Sequence, residues 1–485
     1  MSPNILLIMT DNQPAELLGY YGNDEIHTPH LDRLAQQGIR FDNAYCVNGM
    51  CSPCRASVLT GLMPSQHGIH TWLDDRLMDN WPPEWNGIAE FATLPEMLQT
   101  HGYQTALIGK YHIGSPFRPQ NGFEHWVTFP YGHTRNFWGN RVIENGRETT
   151  YPGHSVDIFT DKAVKYIQTR NDNAPFFLCL TYNAPYGHWP AIEGPGRNRF
   201  YPLYENTPMH TVPREGLSRE AIIRYDLKKD MSGGGIDYSA ELTTPNDLPS
   251  LRNYYSQMSM VDDGVGQVLA AVQQAGILEE TLLIFTADHG FSLGHNGFWG
   301  HGQATWPSNA HGPAFSIPLL LHQPGTIAPL QTSSLMVSQI DLFATILEAA
   351  GINETAVHPT PSHSLMPLLA GRPFTWDDAV FMEQEETRAI RTPRWLYMER
   401  FRGSPSNPFA DELYDLVRDP GEKMNLSDDV AYRETAIILQ RRLADFFNQY
   451  SDPRYDLWHG GVVKANSDKP WLWQDAWGED WEAVY

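Results

Sequence analysis

With 485 residues, 41% hydrophobic and 19% charged, the chain is long and apolar enough to bury one large α/β core with an appendage, and its composition argues against disorder. A formal net charge of −23 argues against a nucleic-acid partner or an anionic membrane surface, so an anionic substrate must meet a locally positive pocket inside an acidic shell. Four cysteines in so long a chain do not make a disulfide framework.

The run Asn4-Ile5-Leu6-Leu7-Ile8-Met9 has no basic flank and is too short for a signal-peptide core or a membrane span. It reads as a buried strand, and the expected location is cytoplasmic, with no membrane partner. Thr10-Asp11-Asn12-Gln13 follows, and polar residues just past an apolar strand fit the carboxyl edge of a parallel sheet, where open α/β sheets place ligands. Thr28-Pro29 is expected to cap a helix carrying Leu31, Leu34 and Ala35 and stopped by Gly38. Cys51-Ser52-Pro53-Cys54-Arg55 then opens a second helix, because Pro53 suits a first turn, and the helix runs through Leu59 towards Pro64. Its N-terminus is electropositive. A thiol at Cys51 is therefore expected to have a lowered pKa, and Arg55 with the free backbone donors offers an anion site beside it.

Leu94 to Thr100 reads as a helix and Tyr103 to Ile108 as a strand delivering Gly109-Lys110-Tyr111-His112. Pro175 to Thr181 is another buried strand, ending in Asn183-Ala184-Pro185-Tyr186-Gly187-His188. Residues 193–249, rich in Gly, Pro and Arg, have no sustained period and are expected to cap the site as an insertion. Val261, Val265, Val268 and Val272 recur at helical spacing before Gly276, and Thr281 to Thr286 is a strand that delivers Ala287-Asp288-His289-Gly290. Ile317 to Leu321 is a strand and Ile340 to Ala350 a helix. Beyond Gly371 short strands alternate with turns (Val380 to Glu383, Arg388 to Ile390, Trp395 to Glu399, Leu413 to Leu416), closed by a helix Thr435 to Phe447 with Ile438, Leu439, Leu443 and Phe446 as apolar positions. The tail after Ser451 carries Trp458, Trp471, Trp473, Trp477 and Trp481, expected to dock on the chain's own domain or, alternatively, on a neighbouring subunit of a homo-oligomer. The domain reading is thus 1–370 catalytic, with 193–249 inserted near the site, 371–450 a C-terminal subdomain, and 451–485 a tryptophan-rich tail.

The cysteine stretch supports three readings. Cys51 and Cys54 form a C-x-x-C that would serve a dithiol oxidoreductase. As half of a zinc site the pair lacks a second half, since only Cys46 and Cys179 remain. The third takes Cys51, Pro53 and Arg55 together, as a Cys-x-Pro-x-Arg pattern. Asp11 with Asn12, and Asp288 with His289, each follow a strand; if both strands are central and parallel, the four side chains converge and can hold a divalent cation. Oxygen donors favour calcium or magnesium, and His289 also suits manganese or zinc.

These landmarks resemble those of the type I sulfatases, in the family's order along residues 1 to 430. Asp11-Asn12 is similar to the first metal pair and Cys51-Ser52-Pro53-Cys54-Arg55 to the formylglycine modification motif. Gly109-Lys110-Tyr111-His112 is similar to the Gly-Lys-Trp-His segment and Ala287-Asp288-His289-Gly290 to the second metal pair. Leu413-Tyr414-Asp415-Leu416 with Asp419-Pro420 is similar to the C-terminal signature. The resemblance implies an alkaline-phosphatase-like α/β fold: a large mixed sheet flanked by helices, with a smaller C-terminal antiparallel sheet plus helix. It implies hydrolysis of a small-molecule sulfate ester by the hydrated formylglycine derived from Cys51, matured by a formylglycine-generating enzyme. It also implies one divalent cation, calcium first and manganese as alternative, held by Asp11, Asn12, Asp288 and His289. Arg55 and Lys110 would neutralise sulfate oxygens and His112 would take the proton that releases sulfate.

Two departures bear on substrate and acid. The family often has a histidine directly after Ala-Pro; here Tyr186 stands there and His188 follows, so both are candidates for the leaving-group acid. It often has a lysine after Trp-Gly, where this chain has His301. A phosphonate monoester or phosphodiester hydrolase on the same scaffold is the alternative activity. His67, His70, His295 and His311 are read as structural in the first instance.

Overall fold

A computed structural model describes residues 2–82, 84–134, 136–186, 197–231, 242–353 and 358–484. Sixteen strands occur among them: β1 Asn4–Asp11, β2 Ile39–Tyr45, β3 Gln104–Gly109, β4 His125–Thr128, β5 Trp138–Glu144, β6 Arg147–His154, β7 Phe176–Pro185, β8 Thr281–Ala287, β9 Ser292–Leu293, β10 Trp299–Gly300, β11 Leu319–His322, β12 Gln331–Ser338, β13 Val380–Gln384, β14 Thr387–Arg391, β15 Trp395–Arg400 and β16 Glu412–Asp415. Ten of them form one sheet in the order β12-β2-β11-β8-β1-β7-β3-β4-β5-β6. At its centre β8, β1, β7 and β3 are mutually parallel, while β11 runs antiparallel between β8 and β2. The result is the large mixed sheet expected from the sequence.

β1 shows why these strands are central. Every residue of it is buried, and its side chains divide by the two-residue period of a strand. Ile5, Leu7 and Met9 join one apolar cluster, which includes residues of the helix α2, Cys51–Thr60. Leu6 and Ile8 join another, with α1, Pro29–Gln37, and the long helix Leu248–Gln274. A strand covered on both faces must be apolar throughout, which is what its sequence shows.

The parallel register brings polar strand ends to one edge. Thr10 pairs with Ala287, Asp11 with Pro185 and Gly109 with Thr181. Gly109 has to be glycine: its φ is 123°, and a Cβ would lie 1.9 Å from the Thr181 carbonyl oxygen. That approach lets the Lys110 amide donate to the same carbonyl at 2.9 Å and turns Lys110 over the sheet edge.

The smaller sheet is the antiparallel meander β13-β14-β15-β16, covered by the helix Arg433–Tyr450. Leu439, Leu443 and Phe447 are buried there and Phe446 stacks on Phe381 at 3.9 Å. Ile438 does not join them; it is 55% exposed, because the buried stripe runs through positions 439, 443 and 447. Within the tail, Trp473 is buried against Phe401 at 5.1 Å, and the indole N–H groups of Trp458, Trp477 and Trp481 donate to the carbonyls of Glu385, Leu457 and Gly461.

Between 193 and 249, where the sequence shows no period, the described residues include a helix, Arg219–Met231, and the start of Leu248–Gln274. Among the described residues no helix is long and apolar enough to cross a membrane.

Candidate active site

α2 begins at Cys51, as the local sequence implies, and ends at Gly61 in the left-handed conformation. Its first turn points at the carboxyl edge of the large sheet. Cys51 Sγ lies 3.6 Å from Asp11 Oδ1 and 3.4 Å from His289 Nε2. Ligand atoms of Asp11, Cys51, Asp288 and His289 all fall within 4.8 Å of one another, and all four residues are buried. Segments separated by more than two hundred residues thus meet at one point.

One turn into α2, Arg55 binds this point together. Its Nε and Nη2 donate to Asp288 Oδ2 at 3.0 and 2.8 Å, Nη2 also reaches Asp11 Oδ2 at 3.2 Å, and Nη1 donates to the Lys110 carbonyl at 2.7 Å. Lys110 Nζ meets Asp11 Oδ2 at 2.6 Å with neither side chain exposed. Two carboxylates face two cations here, so the centre is close to neutral by formal charge. A dication added to it would make this buried point strongly positive within an acidic protein.

The donors fit such an ion. Asn12, at φ 59°, donates its side-chain Nδ2–H to the Tyr186 carbonyl and its backbone N–H to Asp288 Oδ1, while its own Oδ1 is buried with no hydrogen-bond partner. His289 Nδ1 lies 2.8 Å from the Gly290 carbonyl, which can only accept, so the ring proton sits on Nδ1 and the Nε2 lone pair faces the cluster. Gln339 supports the second pair from below, donating to the carbonyls of Ala287 and Asp288 at 2.7 and 2.9 Å.

The Cys51 thiol behaves opposite to the expectation from its helix position. Burial raises its pKa, the Asp11 charge raises it further, and Lys110 and Arg55 do not offset them. A helix N-terminus lowers a thiol pKa where solvent can reach it; complete burial beside a carboxylate outweighs that. The unmodified residue is a protonated thiol rather than a thiolate nucleophile. Cys54 points elsewhere, with its Sγ 2.7 Å from the Asn48 carbonyl, and all four cysteines are free. Cys51 and Cys54 form no disulfide.

Around this centre lie Tyr186, His112 and His301. Tyr186 follows β7 at φ 56°, its amide donates to the Asp11 carbonyl at 2.9 Å, and its ring lies 5.1 Å from Lys110 Nζ. His112 directs Nε2 at the Leu73 carbonyl, 2.7 Å away, so Nε2 carries the proton and the buried Nδ1 is a bare acceptor without a partner. Burial, then the Lys110 charge, holds its pKa well below the usual imidazole value. His301 stands edge-on to His289 at 6.0 Å with an unpartnered buried Nδ1, its pKa depressed by burial and then by His289. His188 lies outside the described residues. Four other histidines have structural partners: His67 bonds Ser57, His70 the Tyr455 carbonyl, His295 meets Glu16, and His311 bonds Glu422.

Three residues at the site carry no sequence signal. Gln339 opens no motif, Asp75 begins the short 3-10 helix Asp75–Asn80 and His133 sits singly in a loop. His133 Nδ1 is hydrogen-bonded to Asp75, and its ring meets His112 edge-on at 5.1 Å.

Comparison with known proteins agrees with this geometry. The Sulfatase family profile matches residues 3–352, and a profile described as "N-sulphoglucosamine sulphohydrolase, C-terminal" matches residues 309–449. The chain is 28% identical to an N-acetylglucosamine-6-O-sulfatase of Bacteroides thetaiotaomicron, over 93% of this chain and 87% of the relative. It is 28% identical to a choline-sulfatase of Rhizobium meliloti, over 88% and 83%. A solved structure of a protein in complex with its substrate D-glucosamine-2-N,6-O-disulfate superposes with a TM-score of 0.74 at 25% identity, covering 93% of this chain and 98% of the other. The phosphonate monoester hydrolase of Agrobacterium radiobacter, at 19% identity and a TM-score of 0.69 over 93% and 96%, shares the fold. The chain belongs to the type I sulfatases of the alkaline phosphatase superfamily and is a sulfuric ester hydrolase.

Proposed function

We propose that the chain hydrolyses a small-molecule sulfate ester using formylglycine at position 51 and one divalent cation held by Asp11, Asn12, Asp288 and His289. The observation that carries this reading is the seat of Cys51 Sγ, 3.6 Å from Asp11 Oδ1 and 3.4 Å from His289 Nε2, with an orphaned Asn12 oxygen among the buried residues. The mixed oxygen and imidazole donors suit calcium, with manganese as the alternative. When bound, the cation supplies Lewis-acid polarisation of a sulfate oxygen. Formylglycine, as its hydrate, supplies an oxygen nucleophile that the buried thiol does not.

The chain's own residues do the rest. Arg55 and Lys110, already buried and charged, offset negative charge that builds on the sulfuryl oxygens in the transition state. His112 receives a proton at Nδ1, the nitrogen its Leu73 contact leaves bare, as residue 51 is returned to its starting form. Tyr186 and His301 line the substrate side. Maturation requires a formylglycine-generating enzyme.

Sulfated glucosamines are proposed as the substrate class, supported by relatives that act on N-acetylglucosamine 6-sulfate groups and by the superposed structure bound to D-glucosamine-2-N,6-O-disulfate. The test is sulfate release by matured protein from glucosamine 6-sulfate, choline sulfate, an aryl sulfate and phenyl phosphonate. Glucosamine 6-sulfate is expected to have the highest kcat/KM, and Cys51→Ala to abolish release from all. A sulfate ester ranking below phenyl phosphonate overturns the assignment.

A further inference from the structure

The reaction needs a proton for the departing alcohol. Tyr186 is poorly suited, since its hydroxyl is engaged by the Thr134 backbone and burial, followed by Cys51 and Asp11, pushes its pKa well above the ordinary phenol value. Directly beside it is a group the mechanism has not used. The segment Gly132-His133-Thr134 is pressed onto the site: a Cβ on Gly132 would come within 1.8 Å of the His112 ring, and Thr134 Oγ1 donates to the Asn183 carbonyl at 3.4 Å. His133 is therefore fixed between His112 and the end of β7. Its ring stands edge-on to Trp72 at 4.7 Å as well as to His112, which sets its plane. Nδ1 is hydrogen-bonded to Asp75, whose side chain is 7% exposed, whereas that of His133 is 31% exposed. No hydrogen bond among the described residues engages Nε2. The arrangement is a partly exposed imidazole beside His112, with a carboxylate on Nδ1 and an Nε2 that no described residue engages.

We propose that His133, oriented by Asp75, is the acid that protonates the leaving oxygen, a reading that rests on the sulfate-ester hydrolysis proposed above. As the nucleophile bonds to sulfur, the bond from sulfur to the ester oxygen breaks and its electron pair stays on that oxygen. The proton on Nε2 moves to the oxygen, leaving a neutral ring whose other N–H remains on Asp75, and water reprotonates Nε2 before the next turnover. Asp75 is the positioning residue. Burial would raise its pKa, but the His133 hydrogen bond and charge hold it well below the ordinary carboxylate range, so it stays ionised behind the ring. The titratable groups that face His133 among the described residues are Asp75, His112 and His301.

The test is the dependence of kcat/KM on leaving-group basicity, measured with matured protein and a series of aryl sulfates from 4-nitrophenyl to unsubstituted phenyl, extended to an alkyl sulfate. An acid matters little when the phenol is a good leaving group and most when it is poor. His133→Gln is expected to stay within about threefold of wild type on 4-nitrophenyl sulfate and to lose roughly 10²–10³-fold on the alkyl sulfate. Asp75→Asn is expected to steepen the dependence in the same sense while leaving KM for 4-nitrophenyl sulfate within about threefold. An equal loss across the series, or none, overturns the proposal, as does steepening in Tyr186→Phe or His188→Gln in place of His133→Gln. Wild-type protein that splits no sulfate ester instead removes the underlying functional reading, so the two failures are told apart.

Discussion

The convergence of Asp11, Asn12, Cys51, Arg55, Lys110, Asp288 and His289 is legible because they end or follow apolar strands or lie in the first turns of a helix. Asp75, His133 and Gln339 are not legible, since nothing near them in the chain marks a residue that only tertiary packing brings to the site. The Cys51 thiol departs from what its helix position implies for a related reason: helix position is local, burial is not. Glu422 shows the same limit and carries a prediction. It accepts from Arg391 at 2.6 Å and bonds His311 Nδ1 at 2.8 Å, and although burial would raise its pKa, Arg391 and His311 hold it at about 2, below an ordinary value of 4.5. A depressed carboxyl contributes stability that is fully present above its unfolded value and is lost as pH falls through the folded one. Between pH 4.5 and 2 the wild-type urea midpoint is therefore expected to fall more steeply than that of Glu422→Gln, which starts lower at pH 7. Parallel curves would contradict the assignment.

At the scale of elements, continuous apolar runs revealed β1, β7 and β8, because strands buried on both faces advertise themselves. The β5–β6 hairpin at the sheet edge was not read, since most of β6 is exposed and polar; its local signal is the turn Asn145-Gly146, at φ 51° and 73°. The start of α1 was read with the wrong partner. Thr28 makes no side-chain capping bond; instead Asp262, from the helix Leu248–Gln274, accepts from the amides of Leu31 at 2.8 Å and His30 at 3.2 Å. Asp262→Ala leaves those first-turn donors without their carboxylate and is expected to cost about 2–4 kcal/mol in urea unfolding, with Asp262→Asn milder. A loss below about 0.5 kcal/mol, the range of an ordinary surface substitution, would show that water serves the helix end equally well.

For the whole molecule, the sheet topology does what no single motif can: parallel neighbours β8, β1, β7 and β3 carry four separated segments to one edge, and α2 aims residue 51 at them. The tail is tied to the C-terminal meander by buried Lys469 with Glu385 and Glu386, and the meander to the large domain by the Arg391–Glu422–His311 chain, none of which follows from composition. The account stands on the chemical identity of residue 51. Its most direct test is peptide mass spectrometry across that position in protein made together with the formylglycine-generating enzyme and shown to release sulfate. Formylglycine in the active fraction is the expected result; an intact cysteine in protein that turns over at full rate would contradict it.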